Sequence, residues 1–79
     1  MVKREIEIEK NNAKNQLKYI SSMEGMSLTV LKKRINERFN KTDSVSNLYK
    51  KLDRKTIKLT EFMEIAEVLG YKLILKKED

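Results

Sequence analysis

Apolar residues recur along the chain at the spacing of amphipathic helices, and short polar stretches separate the apolar segments. The pattern predicts four helices, over residues 12–24, 28–40, 45–54 and 59–69. The only glycines, Gly25 and Gly70, fall where the first and fourth helices should end, because glycine adopts the left-handed conformation of a helix end at little cost. We therefore predict a mainly all-α fold built on a bundle of four helices.

The beginnings of the helices are also marked. Ser27 is expected to cap helix 2, and Met26 and Leu31 are spaced as a hydrophobic staple across that cap. Residues 42–44, Thr-Asp-Ser, offer three candidate caps for helix 3. On helix 2 the basic side chains are expected on the polar face, as Lys32, Lys33, Arg34 and Arg38. The predicted core residues are Phe39, Leu48, Leu52, Phe62, Ile65 and Leu69.

The two ends of the chain alternate between polar and apolar residues. Residues 3–9 read as a half-buried strand or as an extension of helix 1, and residues 71–76 read as a strand or as a cover for the bundle. Antiparallel pairing of the ends would set glutamates opposite Lys72 and Lys76. We predict one domain, residues 1–79, with an arm (1–11), a helical core (12–70) and a tail (71–79). A core this small favours a homodimer, held partly by the terminal strands.

Composition argues against catalysis. The chain has neither Cys nor His, which removes the thiol nucleophile, the usual general base and the common transition-metal ligands. Two isolated glycines cannot form a phosphate-binding loop. We therefore predict no enzyme activity, no metal and no cofactor. There is no pattern of a signal peptide or of a membrane span, so a cytoplasmic protein is expected.

Positive charge is concentrated in the middle of the chain. Residues 25–58 contain ten basic and three acidic residues, a net charge of +7, whereas residues 1–24 carry +1 and residues 59–79 carry −2. An ordinary lysine-rich surface is one interpretation of this excess. A local basic field also suits a polyanion such as nucleic acid.

Three short motifs resemble the lambda repressor/Cro-like (Xre-type) helix-turn-helix family. They are Gly25-Met26-Ser27 before helix 2, the stretch Asn47-Leu48-Tyr49-Lys50-Lys51-Leu52-Asp53-Arg54, and Ile65-Ala66-Glu67-Val68-Leu69-Gly70 at the end of helix 4. The resemblance covers roughly residues 13–70. It implies DNA binding, often as a dimer, with helix 3 lying in the major groove.

This sequence departs from the family pattern at several positions. Lys32 stands where the family usually has a small Ala, Asn36 where it has a Gly, and Leu28 and Val45 where Gln is common. The interval from Ile35 to Leu48 is also about six residues longer than the usual tight turn.

The resemblance also implies which residues contact DNA. Five positions would face the groove, namely Ser44, Val45, Ser46, Asn47 and Lys50. Ser27 would cap helix 2 against a phosphate. Flanking cations would neutralise further phosphates, and the candidates are Lys33, Arg34, Arg38, Lys51 and Arg54.

Two functions are therefore open. The first is a DNA-binding transcriptional regulator of phage or mobile-element type, with double-stranded DNA as its partner. The alternative is a protein-interaction module on the same scaffold, such as an antitoxin or an inhibitor of a nucleic-acid enzyme. That module would use the basic face to meet an acidic or nucleic-acid-binding protein.

Overall fold

The computed structural model describes residues 4–78, and within that range it contains four α-helices and no β-strand. Their bounds are Ala13–Met23 (α1), Leu28–Phe39 (α2), Val45–Arg54 (α3) and Leu59–Leu69 (α4). All four predicted helices are confirmed, and each end lies within one residue of its predicted position. No helix in the described part of the chain is long and apolar enough to cross a membrane.

The predicted caps of α2 and α3 are also confirmed. The Oγ of Ser27 accepts a hydrogen bond from the backbone N–H of Val30, and the Oγ of Ser44 accepts one from Asn47, each at 3.2 Å. At the start of α4, the backbone N–H of Lys58 donates to the Glu61 carboxylate at 3.3 Å. Each of these bonds satisfies a backbone donor that the helix itself leaves without a partner.

Left-handed residues follow three of the four helices at their C-terminal caps. Gly70 (φ +84°) ends α4, whereas α2 and α3 end at Asn40 (φ +54°) and Lys55 (φ +58°). Gly25 (φ +74°) comes one residue after the cap of α1. The chain therefore turns sharply on both sides of α3 without a glycine at either corner.

The core lies where the apolar faces of the helices meet. Its buried members are Leu17, Ile20, Met26, Leu28, Leu31, Ile35, Leu48, Leu52, Ile65 and Leu69. Four of the six predicted core residues are among them. Phe39 and Phe62 are only partly buried, because Phe39 is the last residue of α2 and Phe62 lies in the first turn of α4.

The predicted terminal strands are wrong for the described residues. Residues 4–9 and 71–78 have no regular secondary structure, and Lys3 of the predicted first strand lies outside the described range. The arm is instead held against α1, where the amide of Gln16 bonds to its backbone, and Ile6 packs against the core. In the tail, only Tyr71 packs against the core. Period-two alternation is present in both segments, but neither has a neighbouring strand.

Candidate nucleic-acid interface

Helix α3 presents a polar stripe to solvent. Ser46, Asn47, Lys50 and Arg54 are exposed. Lys50 lies four residues after Ser46 and three after Asn47, and Arg54 lies four after Lys50, so the four side chains share one helical face. The opposite face is held in the core by Leu48 and Leu52. Burial of the two leucines therefore fixes which side of α3 is available to a partner.

Two predicted groove residues have a mainly structural position. Val45 is partly buried and packs against the core, so it does not project freely from α3. The hydroxyl of Ser44 is used to cap the helix, and its backbone N–H donates to Asp43 Oδ1 at 3.0 Å. Ser44 and Val45 set the start of α3, whereas Ser46 and Asn47 are the first residues of its open face.

Asp43 is the centre of the connection between α2 and α3. Its Oδ1 accepts a hydrogen bond from Asn47 Nδ2 at 2.7 Å, and its Oδ2 lies 3.6 Å from the ammonium groups of both Lys32 and Lys51. The hydrogen bond from Asn47 lowers the pKa of Asp43 below its ordinary value of 3.8; burial opposes this effect, and Ser44 and the two lysines reinforce it. The carboxylate thus joins α2 to the first two turns of α3.

The position of Lys32 corrects a prediction. It was expected on the polar face of α2, but its side chain is only 8% exposed. A buried ammonium needs a negative or hydrogen-bonding partner, and Asp43 supplies one. Lys32 therefore belongs to the scaffold of the connection.

Lys51 also has a different role from the one predicted. Its ammonium donates to Glu61 Oε2 at 2.7 Å, and its side chain is 35% exposed. The hydrogen bond to Glu61 raises the pKa of Lys51, although burial opposes it. Burial acts to raise the pKa of Glu61, but the bonds from Lys51 and from the Lys58 backbone outweigh it and leave that pKa below 4.5. Lys51 therefore links α3 to α4, and its ammonium is engaged by Glu61 instead of being free to bind a phosphate.

The cations of α2 divide between its two flanks. Asn36 Nδ2 donates to the backbone carbonyl of Asp43 at 2.7 Å, and Lys33 borders the same hollow beside Asp43, so this flank faces α3. Arg38 bonds to Glu67 of α4 at 3.0 Å. Arg34 lies one helical turn before Arg38 and shares its flank. The structure therefore places Lys33 on the α3 side, and it does not bring Arg34 and Arg38 to that side.

Ion pairs use nearly all the acidic groups of the bundle. Between residues 13 and 69, every acidic side chain except Glu37 has a basic partner. The helical cations of residues 4–78 that have no acidic partner are Lys18, Lys33, Arg34, Lys50 and Arg54. All of them lie on α1, α2 or α3. The unpaired positive charge of the helices is thus left on the three helices other than α4.

Sequence reasoning missed a contribution from α1 and Tyr49. The ammonium groups of Lys14 and Lys18 lie 5.2 and 5.7 Å from the centre of the Tyr49 ring, within the range of cation–π attraction. Lys18, Tyr49 and Ser27 border one shallow hollow at the N-terminus of α2. The i, i+4 spacing of the two lysines was a visible signal, but nothing in the sequence placed α1 beside Tyr49.

The chain matches no protein-family model, and no curated protein or solved structure is significantly similar to it.

Proposed function

We propose that this protein binds double-stranded DNA as a helix-turn-helix protein, with α3 in the major groove, and regulates transcription in a phage or mobile element. The observation that carries the proposal is the exposed stripe on α3. It combines short polar side chains at the first turn (Ser46 and Asn47) with cations further along (Lys50 and Arg54), and the one acid beside them, Asp53, has its charge paired with Lys14 of α1. Major grooves admit one helix, and such side chains bond to base edges and phosphates.

The surroundings of α3 support the same proposal. Asp53, the one acid on α3, lies beside the stripe, three residues after Lys50 and seven after Ser46, but its carboxylate pairs with Lys14 of α1 at 2.7 Å. Lys33 lies on the flank of α2 that faces α3, and Lys18 and Ser27 lie together at the start of α2. In this arrangement Lys50 approaches the bases, and so does Asn47, which keeps its Nδ2 on Asp43 and presents its Oδ1. Arg54, Lys33, Lys18 and the cap residue Ser27 approach backbone phosphates.

The connection between α2 and α3 is compatible with a helix-turn-helix of lengthened form. It spans residues 40–44 and contains the left-handed Asn40 and the Asp43 ion pairs. These contacts hold α3 at a fixed angle to α2, which a reading helix requires if its side chains are to meet particular base pairs.

Fluorescence anisotropy with a labelled random-sequence duplex at several salt concentrations tests the proposal. Wild-type protein should bind, and its affinity should fall steeply with salt. Arg54→Ala should flatten the plot of log K against log salt by about one unit for the lost phosphate contact. Arg38→Ala is the matched control, because it removes an equal charge from the flank that faces α4 and should leave the slope unchanged.

The alternative, a protein-interaction module, predicts a different result. If wild-type protein shows no salt-dependent binding to duplex DNA while its helices remain folded, the basic stripe serves an acidic protein partner. Loss of slope in Arg38→Ala but not in Arg54→Ala would instead mean that a different face of the bundle meets DNA.

A further inference from the structure

The arm offers one free backbone edge. The side-chain amide of Gln16 accepts a hydrogen bond from the N–H of Glu9 at 2.8 Å and donates one to the carbonyl of Glu7 at 2.6 Å. A neighbouring strand would form the same two bonds, since residues i and i+2 of an extended chain point to one edge. The N–H and C=O groups of Ile6 and Ile8 therefore point to the other edge, away from α1. Within residues 4–78 they have no hydrogen-bond partner.

The tail exposes an apolar segment with no partner of its own. Leu73, Ile74 and Leu75 are 45%, 78% and 102% exposed. Beyond Tyr71, whose N–H donates to the carbonyl of Ala66, no backbone group up to residue 78 bonds to the rest of the described chain. A segment with three consecutive large apolar side chains in water, and with free backbone donors and acceptors, is suited to add as a strand to another edge.

One antiparallel register brings four complementary pairs of residues together. It sets Ile6 opposite Leu75 and Ile8 opposite Leu73, on one face of the ribbon. The same register sets Glu5 opposite Lys76 and Glu9 opposite Lys72 on the other face, with Glu7 opposite Ile74 between them and Arg4 opposite Lys77 at the end of the ribbon. The free backbone groups of the arm belong to Ile6 and Ile8. The pairs Ile6–Leu75 and Ile8–Leu73 would therefore also form the backbone hydrogen bonds between the two strands.

We propose that two copies of this chain form a symmetric dimer, in which the tail of each copy adds as a strand to the arm of the other. Pairing within one chain does not occur in the structure, although both segments belong to the described residues. A two-fold axis makes the exchange reciprocal, so Leu73 and Leu75 of both tails gain apolar partners in a single step. The proposal is independent of DNA binding, since the groups that pair lie outside α2 and α3.

Charge reversal tests the partner and the register together. The arm variant carries Glu5→Lys and Glu9→Lys, and the tail variant carries Lys72→Glu and Lys76→Glu. Wild-type protein should be dimeric at tens of micromolar in sedimentation equilibrium. Each variant alone should raise the dimer dissociation constant at least about tenfold, because like charges then face each other in both strand pairs. The control, Glu37→Lys with Glu67→Lys, changes the net charge as the arm variant does at two exposed helical positions outside the arm and the tail, and it should dimerise like wild type.

An equimolar mixture of the arm and tail variants decides between exchange and pairing within a chain. In a mixed dimer, lysine arms meet glutamate tails and glutamate arms meet lysine tails, so the mixture should recover wild-type affinity. Pairing within a chain cannot recover on mixing. The proposal is overturned if wild-type protein is monomeric at these concentrations, if the mixture stays monomeric, or if the control dissociates as readily as the arm variant. Far-UV circular dichroism should show equal helicity in all variants, since every changed residue is exposed.

Discussion

The ammonium of Lys32 lies 3.6 Å from Asp43 Oδ2, at the point where the connection between α2 and α3 returns to the bundle. A lysine at this position carries a charge into the scaffold, which is costly without a partner. The connection at residues 40–44 supplies that partner in Asp43. The contact therefore ties α2 to the segment that leads into α3.

Removal of the Asp43 charge should destabilise the protein. In Asp43→Asn, Lys32 loses its acidic partner while it remains 8% exposed. We expect the free energy of unfolding to fall by about 1–3 kcal/mol, the cost of an unsatisfied buried group. Asp53→Asn is the control, because its pair with Lys14 is 57% exposed on the Asp53 side and should contribute less than about 1 kcal/mol. Urea denaturation at pH 7 measures both, and equal losses would contradict the assigned role of Asp43.

The cluster of Asp43, Lys51 and Glu61 should make the free energy of unfolding depend on pH. The pKa values of Asp43 and Glu61 are lowered by folding, so the stability they contribute is fully present above their ordinary values of 3.8 and 4.5. It is lost as the pH falls through the lower values of the folded state. Lys51 has the opposite pH dependence, because folding raises its pKa. Its contribution to stability is fully present below pH 10.5, its ordinary pKa, and is lost only as the pH rises through the folded-state pKa. Urea denaturation from pH 7 to pH 2.5 should show a decline below about pH 4.5. Asp43→Asn and Glu61→Gln should each make that decline shallower, and an unchanged decline in both would contradict the prediction.

Leu52 should be essential to the fold. It is 7% exposed in the core, and Leu52→Ala should cost about 2–5 kcal/mol through lost burial and a residual cavity. That is a large part of the total stability of so small a domain. Leu59 is 67% exposed, so Leu59→Ala should cost less than about 0.5 kcal/mol. Thermal melts of the two variants should differ clearly. If Leu52→Ala melts within a degree or two of wild type, Leu52 does not pack α3 into the core as assigned.

Lys55 should tolerate glycine better than alanine. Its φ of +58° costs a residue with a Cβ about 1–2 kcal/mol. Glycine avoids this cost, but the larger conformational entropy of its unfolded chain cancels part of the gain. We expect Lys55→Gly to raise the free energy of unfolding by about 0.5–1 kcal/mol. Lys55→Ala removes the same side chain, including its bond to Asn11, but keeps the Cβ, so it should not stabilise. A gain in both variants would assign the effect to the lost lysine charge.

Lys50 should affect sequence preference. If it bonds a base edge in the groove, Lys50→Ala should lower discrimination at one base pair by about 1–3 kcal/mol, provided the contact is bidentate. Selection of bound duplexes from a random pool, followed by competition binding, measures this preference. Arg54→Ala should weaken all sequences alike, as a phosphate contact does. If the two changes weaken binding to all sequences equally, both side chains contact DNA phosphates and neither contacts a base.

Local features of the sequence predicted the helices and their caps, because each depends on neighbours within one or two turns. Ser27, Ser44 and Gly70 act within their own helices, and they were identified for that reason. The positions of Lys32 and Lys51 were missed because their partners lie on other elements. A spacing rule shows which helical face a side chain occupies, but not which charge the fold brings near that face.

The terminal strands failed for a related reason. Alternation of Ile6 and Ile8 with glutamates satisfies the period of a strand, yet a strand exists only where another backbone bonds to it. In the described chain, a glutamine side chain takes that place along one edge of the arm. The arm therefore has the residue alternation of a strand, but no second strand pairs with it within the described chain.

The two glycine-free corners described above have a consequence for how α3 meets a partner. Asn40 precedes α3 and Lys55 follows it, and both hold a backbone conformation that L-residues leave readily. Residues in this conformation persist only where the surrounding contacts hold them, so the two corners depend on the ion pairs of Asp43 and Lys51. Among the four helices, α3 is thus the one whose orientation is most sensitive to a change in those pairs, even where the change lies on another helix.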